Sequence, residues 1–232
     1  MRSKKSETAK RLEQGYYKNS QVDIDSGDLS ITLLQKLIAG FENSMKRFPN
    51  CCVFRVKLRV PKTYNQDANK LLNTWFYSLA KPLPNNSRRN FDSSSQLEPS
   101  TEAINMIWAK DMSDDGSVFY RIALFFRASK NANEQSSIKA KAFFKRKLIK
   151  TWAYALRLDE EHVHALYLVQ PATIIPLIRD NKAHNEHLRF CFFILSTLAR
   201  KPRCPQTTLR MYLALSTAET RIKEAAEIKN TS

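Results

Sequence analysis

Residues 51–60 read CCVFRVKLRV, and the alternation in this run decides how the rest of the chain is read. From Val53 onward, Phe54, Val56, Leu58 and Val60 fall on one side and Arg55, Lys57 and Arg59 on the other. A period of two belongs to a strand, whose side chains point alternately to the two faces of a sheet. The strand therefore carries one apolar face and one cationic face, and Pro61 closes it. Adjacent Cys51 and Cys52 point to opposite faces, a poor geometry for one metal, and Cys191 and Cys204 lack the CxxC spacing of a zinc site. Buried thiols in a reducing compartment are the expectation for all four.

Upstream of this strand, Ser30 is placed to cap a helix in which Leu33, Leu34, Leu37, Phe41 and Met45 recur at helical spacing. Downstream, residues 67–79 predict a helix with Leu71, Leu72, Trp75, Phe76 and Leu79 on one stripe, and residues 81–101, rich in Pro, Asn and Ser, predict a surface loop. Two strand-like runs, 104–110 and 118–127, flank a turn containing Asp114-Asp115-Gly116, the pattern of a hairpin. Residues 137–158 predict a helix with a basic start, 162–169 (HVHALYLV) a fourth strand, 171–180 a connection, and 186–198 a buried helix. Residues 1–28 carry little apolar content and read as a flexible basic arm, 29–217 as one domain and 218–232 as a charged tail. The order of elements predicts an α+β fold, a mainly antiparallel sheet covered by helices, in the class of the split ferredoxin-like sheets.

Charge narrows the function classes. The chain has 232 residues, with 38 Lys plus Arg against 22 Asp plus Glu and a formal charge of +16. Such an excess concentrates polyanions whatever the fold, and nucleic acid is the commonest. A membrane surface is the main rival. The basic N-terminus is followed by no apolar stretch, and no run approaches the roughly 20 residues that span a bilayer, so a cytoplasmic protein with no membrane partner is expected. Only four glycines occur, which argues against glycine-rich phosphate loops.

The segments VFRVKLRVP (53–61), IWAKDMSDDGSVFYRIALFF (107–126), KTWAYAL (150–156) and LSTLARKP (195–202) follow one another in an order that resembles the YagK/YfjJ family of prophage proteins, which is related to the replication proteins of filamentous bacteriophages. The resemblance implies a replication-initiator-like fold and association with DNA. Nucleases of that kind hold a divalent metal with two histidines flanking a hydrophobic residue, and a tyrosine attacks the phosphate. The resemblance puts the acid and histidine of the first strand at Lys57 and Arg59, and the paired histidines at Phe119-Tyr120-Arg121. Lysine and arginine cannot ligate a hard cation, so the resemblance implies binding without cleavage and no metal cofactor.

The candidate nucleic-acid contacts are Arg55, Lys57, Arg59, Lys62 and Arg121 around the strands, Lys145, Arg146, Lys147 and Lys150 on the long helix, and Arg200, Lys201 and Arg203 after the last helix. Any one cluster is as readily a solvated face; three with only scattered acids between them favour a binding surface. A second reading is a metal-dependent nickase in which His162 and His164, alternating on a strand, hold Mg²⁺ or Mn²⁺ and Tyr212 attacks; the plainer reading of Tyr212 is an aromatic packed on a helix. His184 and His187 lack further ligands, and a hairpin turn accounts for Asp114 and Asp115. A third reading is an interaction protein whose charge meets an acidic surface on a host or phage protein.

Overall fold

The computed structural model describes residues 12–25, 27–64, 68–80, 104–127, 134–165, 168–201 and 209–213. The elements run β1 (Tyr16–Tyr17), β2 (Ser20–Gln21), α1 (Ile31–Arg47), β3 (Cys51–Arg59), α2 (Ala68–Ala80), β4 (Ile104–Met112), β5 (Val118–Arg127), α3 (Glu134–Leu156), α4 (Glu160–Ala165), β6 (Val169–Leu177), α5 (His184–Ser196), a 3-10 turn (Thr197–Ala199) and β7 (Leu209–Leu213). The architecture is α+β, a five-stranded sheet of order β6-β3-β5-β4-β7 in which every neighbouring pair is antiparallel. No helix among the described residues is long and apolar enough to cross a membrane.

Two hydrophobic clusters sandwich the sheet. On one face Phe54, Val56 and Leu58 of β3, with Tyr120, Ile122 and Leu124 of β5, pack against α2 and α3 through Trp75, Leu72, Phe144, Leu148 and Trp152. Trp75 and Trp152 meet edge to face, and the Trp152 indole donates to the Arg59 carbonyl at 3.1 Å, fixing α3 across the end of β3. On the other face Cys51 and Val53, with Ala123, Phe125 and Ile107, pack against α1 and α5 through Leu34, Leu37, Phe41, Phe192 and Leu195. The Ser30 side chain accepts from the Leu33 N–H and starts α1.

Four expectations change. The segment read as a fourth strand begins instead as helix α4, because the Asp159 carboxylate accepts the His162 N–H at 2.7 Å and caps a turn that buries Val163. The expected connection at 171–180 holds most of strand β6. Its two prolines hide it in the sequence, but β6 lies at the sheet edge, and Pro171 and Ala172 sit at a bulge between the pairings Arg55–Thr173 and Lys57–Gln170. The segment around Tyr212 is strand β7 and not a helix; Leu209, Met211 and Leu213 alternate along it. Part of the segment expected to be a flexible arm is packed on the domain. Tyr17, Val22 and Leu29 are buried, and residues 28–30 are tied to 199–201 by the hydrogen bonds Ser30 N–H to Ala199 and Lys201 N–H to Asp28. Residues 1–11, 218–232 and the loop at 81–101 lie outside the described residues.

Candidate nucleic-acid interface

The cationic residues of β3 share a face with Cys51 and Val53; α1 and α5 cover the first part of this face, the 3-10 turn covers Arg121 and Asp111 beside it, and the β3 cations form a partly open rim. Arg55 and Lys57 are half-buried there and Arg59 is exposed. The antiparallel register sets Arg121 of β5 opposite Lys57, and Phe119 opposite Arg59. From β4, Asp111 stands opposite Phe119. Arg200, one residue past the 3-10 turn, brings a fifth cation close enough that its charge acts on Arg55, Lys57 and Arg121. Two acids answer them: Asp23 acts on Arg55, and Asp111 on Arg121 and Lys57.

The electrostatics of this patch combine burial, the larger cause for each shifted group, with crowded like charges. Burial pushes the Arg55 guanidinium down from its ordinary value, Arg200 pushes it further, and Asp23 partly restores it. Lys57 is lowered first by burial and then by Arg59 and Arg121. Its ammonium lies 3.8 Å from the centre of the Phe119 ring, a cation–π contact that leaves the opposite side of the ammonium for a ligand. Arg121 is held differently. It is 5% exposed, pairs with Asp111 at 2.8 Å and donates to the Thr197 carbonyl. Burial lowers it to about 10 despite Asp111, with Arg200 and Arg55 adding to the shift. Arg121 thus anchors the 3-10 turn, and with it Arg200, to the sheet, while Arg55, Lys57, Arg59 and Arg200 form the reachable rim.

The remaining candidates separate. Lys62 pairs with Asp115 of the hairpin turn at 3.4 Å and Lys201 with Asp28 at 3.1 Å, both on the surface. Lys145, Arg146 and Lys150 are exposed on α3, which packs on the far face of the sheet from Arg55. Arg203 lies outside the described residues. Lys147 is 4% exposed, and burial lowers its ammonium to about 8 from an ordinary 10.5, so it is a core group. Below pH 8 both folded and unfolded chains carry this proton and the burial cost acts in full; the cost fades as pH rises toward 10.5. Lys147→Met is therefore expected to stabilise the fold by about 1–2 kcal/mol at neutral pH, with the gain vanishing near pH 10.5. Urea titrations at three pH values measure it, and a pH-independent difference would show the ammonium to be uninvolved.

The alternative metal pair does not assemble. His162 and His164 stand two positions apart on helix α4, where side chains diverge by about 200°, whereas the strand expected there would have aligned them. Both are exposed, and His162 Nδ1 lies 2.6 Å from Asp159 Oδ2. Tyr212 stands opposite Met106 on the edge strand β7. Among the described residues no group of three or more His, Cys, Asp or Glu is placed to hold a metal ion. Burial also raises the Cys52 thiol to about 12 and the Cys51 and Cys191 thiols well above their ordinary range, so none of the three is a ready nucleophile.

Asp23 and Asp111 belong to the patch, and sequence reasoning missed them as members of it. For Asp111 a signal existed, since Ile107, Ala109 and Asp111 continue one alternation, but only the hairpin register places it beside Arg121. A protein-family model described as the YagK/YfjJ C-terminal domain matches residues 12–211, from just before the N-terminal hairpin into the last strand. No curated protein and no solved structure matches the chain.

Proposed function

Because the chain belongs to the YagK/YfjJ C-terminal domain family, which is associated with prophages, we propose that it is a DNA-binding protein that captures the phosphate backbone on the open half of its sheet. The observation that carries this reading is the convergence of Arg55, Lys57, Arg59, Arg121 and Arg200 on that half-face, where Asp23 and Asp111 only partly offset their charge. A phosphodiester placed over Arg55, Lys57, Arg59 and Arg200 relieves that repulsion. Binding thus gains from charge neutralisation in the protein as well as from release of counterions by the DNA.

The same half-face speaks against cleavage. The positions at which the resemblance puts a nuclease's metal ligands, Lys57, Arg59, Phe119 and Arg121, fall on neighbouring strands of one face. An ammonium, two guanidiniums and a phenyl ring offer a divalent cation no lone pair, so this donor set does not fit a metal. In this reading fixed side-chain charge meets the phosphate directly and the backbone stays intact.

A fluorescence-anisotropy titration with labelled DNA at two salt concentrations tests the proposal. Four rim contacts give a slope of about −3 to −4 in log K against log salt, so affinity is expected to fall about 100-fold between about 50 and 200 mM salt. A denaturing gel of the same samples with added Mn²⁺ is expected to show uncut strands. No binding at about 50 mM salt would overturn the proposal and leave an acidic protein surface as the partner for this charge.

A further inference from the structure

The exposed face of α3 holds a row that the sheet site does not use. Arg146, Lys150 and Tyr154 follow one another at i, i+4 and i+8, Arg157 continues the row at i+11, and all four are exposed. At 1.5 Å per residue the row runs about 16 Å along one side of the helix. No acid interrupts it; Asp159, Glu160 and Glu161 bound it at the start of α4, where the Asp159 carboxylate is occupied by the backbone and ring of His162.

Two features of the row exceed a merely solvated helix face. Tyr154 is 69% exposed, the most exposed of the large hydrophobic side chains described, and it stands between two cations. Arg157 adopts a left-handed backbone, φ +58°, in the reversal that ends α3, where the N–H of Leu158 bonds the Ala153 carbonyl at 3.0 Å. Glycine takes that conformation without strain and arginine does not, so Arg157 carries its guanidinium at a backbone penalty.

We infer that this row is a second nucleic-acid-binding surface, its cations meeting phosphates and Tyr154 stacking on an unpaired base, so that one chain holds two DNA segments on opposite sides of its sheet. The inference rests on the reading of the sheet face as a DNA site. α3 packs against the face that carries Phe54 and Val56, and Arg55 and Lys57 point the other way, so sheet and helix stand between the two surfaces. That thickness is about 20 Å straight through sheet and helix, so a single strand that touches both surfaces must pass round the sheet over a path of about 40 Å or more. Cations that track the backbone and an aromatic platform for the bases are the ordinary means of holding single strands without sequence preference.

The test mixes two populations of an unpaired oligonucleotide of about 5 nucleotides, too short to pass round the sheet, one carrying a donor dye and one an acceptor, with limiting full-length protein at about 50 mM salt. Energy transfer reports bridging, and sedimentation velocity distinguishes two oligonucleotides on one chain from a dimer of one-to-one complexes. The chain is expected to take two and to give transfer. Arg146→Glu/Lys150→Glu/Tyr154→Ala is expected to take one, lose transfer, keep its first affinity within about twofold and keep its melting temperature. A control of equal charge elsewhere on the surface, Lys36→Glu/Lys182→Glu, is expected to keep both. Arg157→Gly adds a readout that a structural role would not give: weaker bridging with an unchanged or higher melting temperature. Saturation at one oligonucleotide, or loss of the second in the control as much as in the row variant, would overturn the second surface and leave the sheet site standing. Absence of all binding would instead overturn the sheet reading and the inference with it.

Discussion

Replacing Asp111 by alanine is expected to destabilise the protein by about 3–5 kcal/mol, because it leaves the Arg121 guanidinium buried without its counter-charge. Asp111 and Arg121 are 8% and 5% exposed, and their charged groups lie 2.8 Å apart. Around them Arg200 and Arg55 already act on Arg121 with the same sign, and Arg121 Nε has no hydrogen-bond partner among the described residues. Removing the one acid paired with Arg121 converts a compensated pair into an isolated buried charge in a cationic neighbourhood. The carbonyl of Thr197 remains as an acceptor, but it cannot neutralise a full charge. Asp111→Ala/Arg121→Met is expected to recover most of the loss, since burying two apolar groups carries no such penalty. Urea denaturation at neutral pH measures both variants. A loss under about 1 kcal/mol in the single variant, or a double variant no more stable than it, would show that water reaches Arg121.

Reversing two rim charges acts on binding instead of stability. Lys57→Glu/Arg59→Glu is expected to weaken DNA binding about 100-fold at about 100 mM salt and to flatten the salt slope by about 2, one unit for each phosphate that is no longer neutralised. The fold should tolerate it. Arg59 is exposed, Lys57 is half-buried, and of the positive neighbours that lower Lys57, Arg121 and Arg200 remain to attract a carboxylate there. The variant forgoes the cation–π interaction with Phe119, at a cost of about 1 kcal/mol or less. Anisotropy titrations beside a thermal melt separate the two quantities. Affinity within about threefold of the unaltered protein, with the fold intact, would move the DNA site off this face.

Much of this arrangement is written locally. The alternation from Cys51 to Arg59 makes a strand wherever it sits, the Asp-Asp-Gly turn brings its two flanking strands together, and Ser30 starts a helix whose apolar stripe must be covered. These are properties of neighbouring residues, since pleat, turn and cap are decided within a few positions of the chain. Where local signals conflicted they misled. The alternating His162 and His164 suggested a strand, yet the side chain of Asp159 capped a helix. The prolines of β6 suggested a connection, yet an edge position with a bulge accepted them.

The sequence by itself determined the α+β class, the central strand with its two chemically distinct faces, the excess of cations and the family. Tertiary structure alone decided which cations converge. Arg55 and Lys57 stay half-open and Arg59 open because α1 and α5 reach only as far as Val53. Arg121 and Lys147 are buried although their neighbours in sequence are equally basic, and Arg200 joins the patch from a segment far along the chain from Arg55. Alternation says that a residue faces one side of a sheet. What covers that side, and how far the cover extends, depends on helices distant in the chain and on the register that seats them.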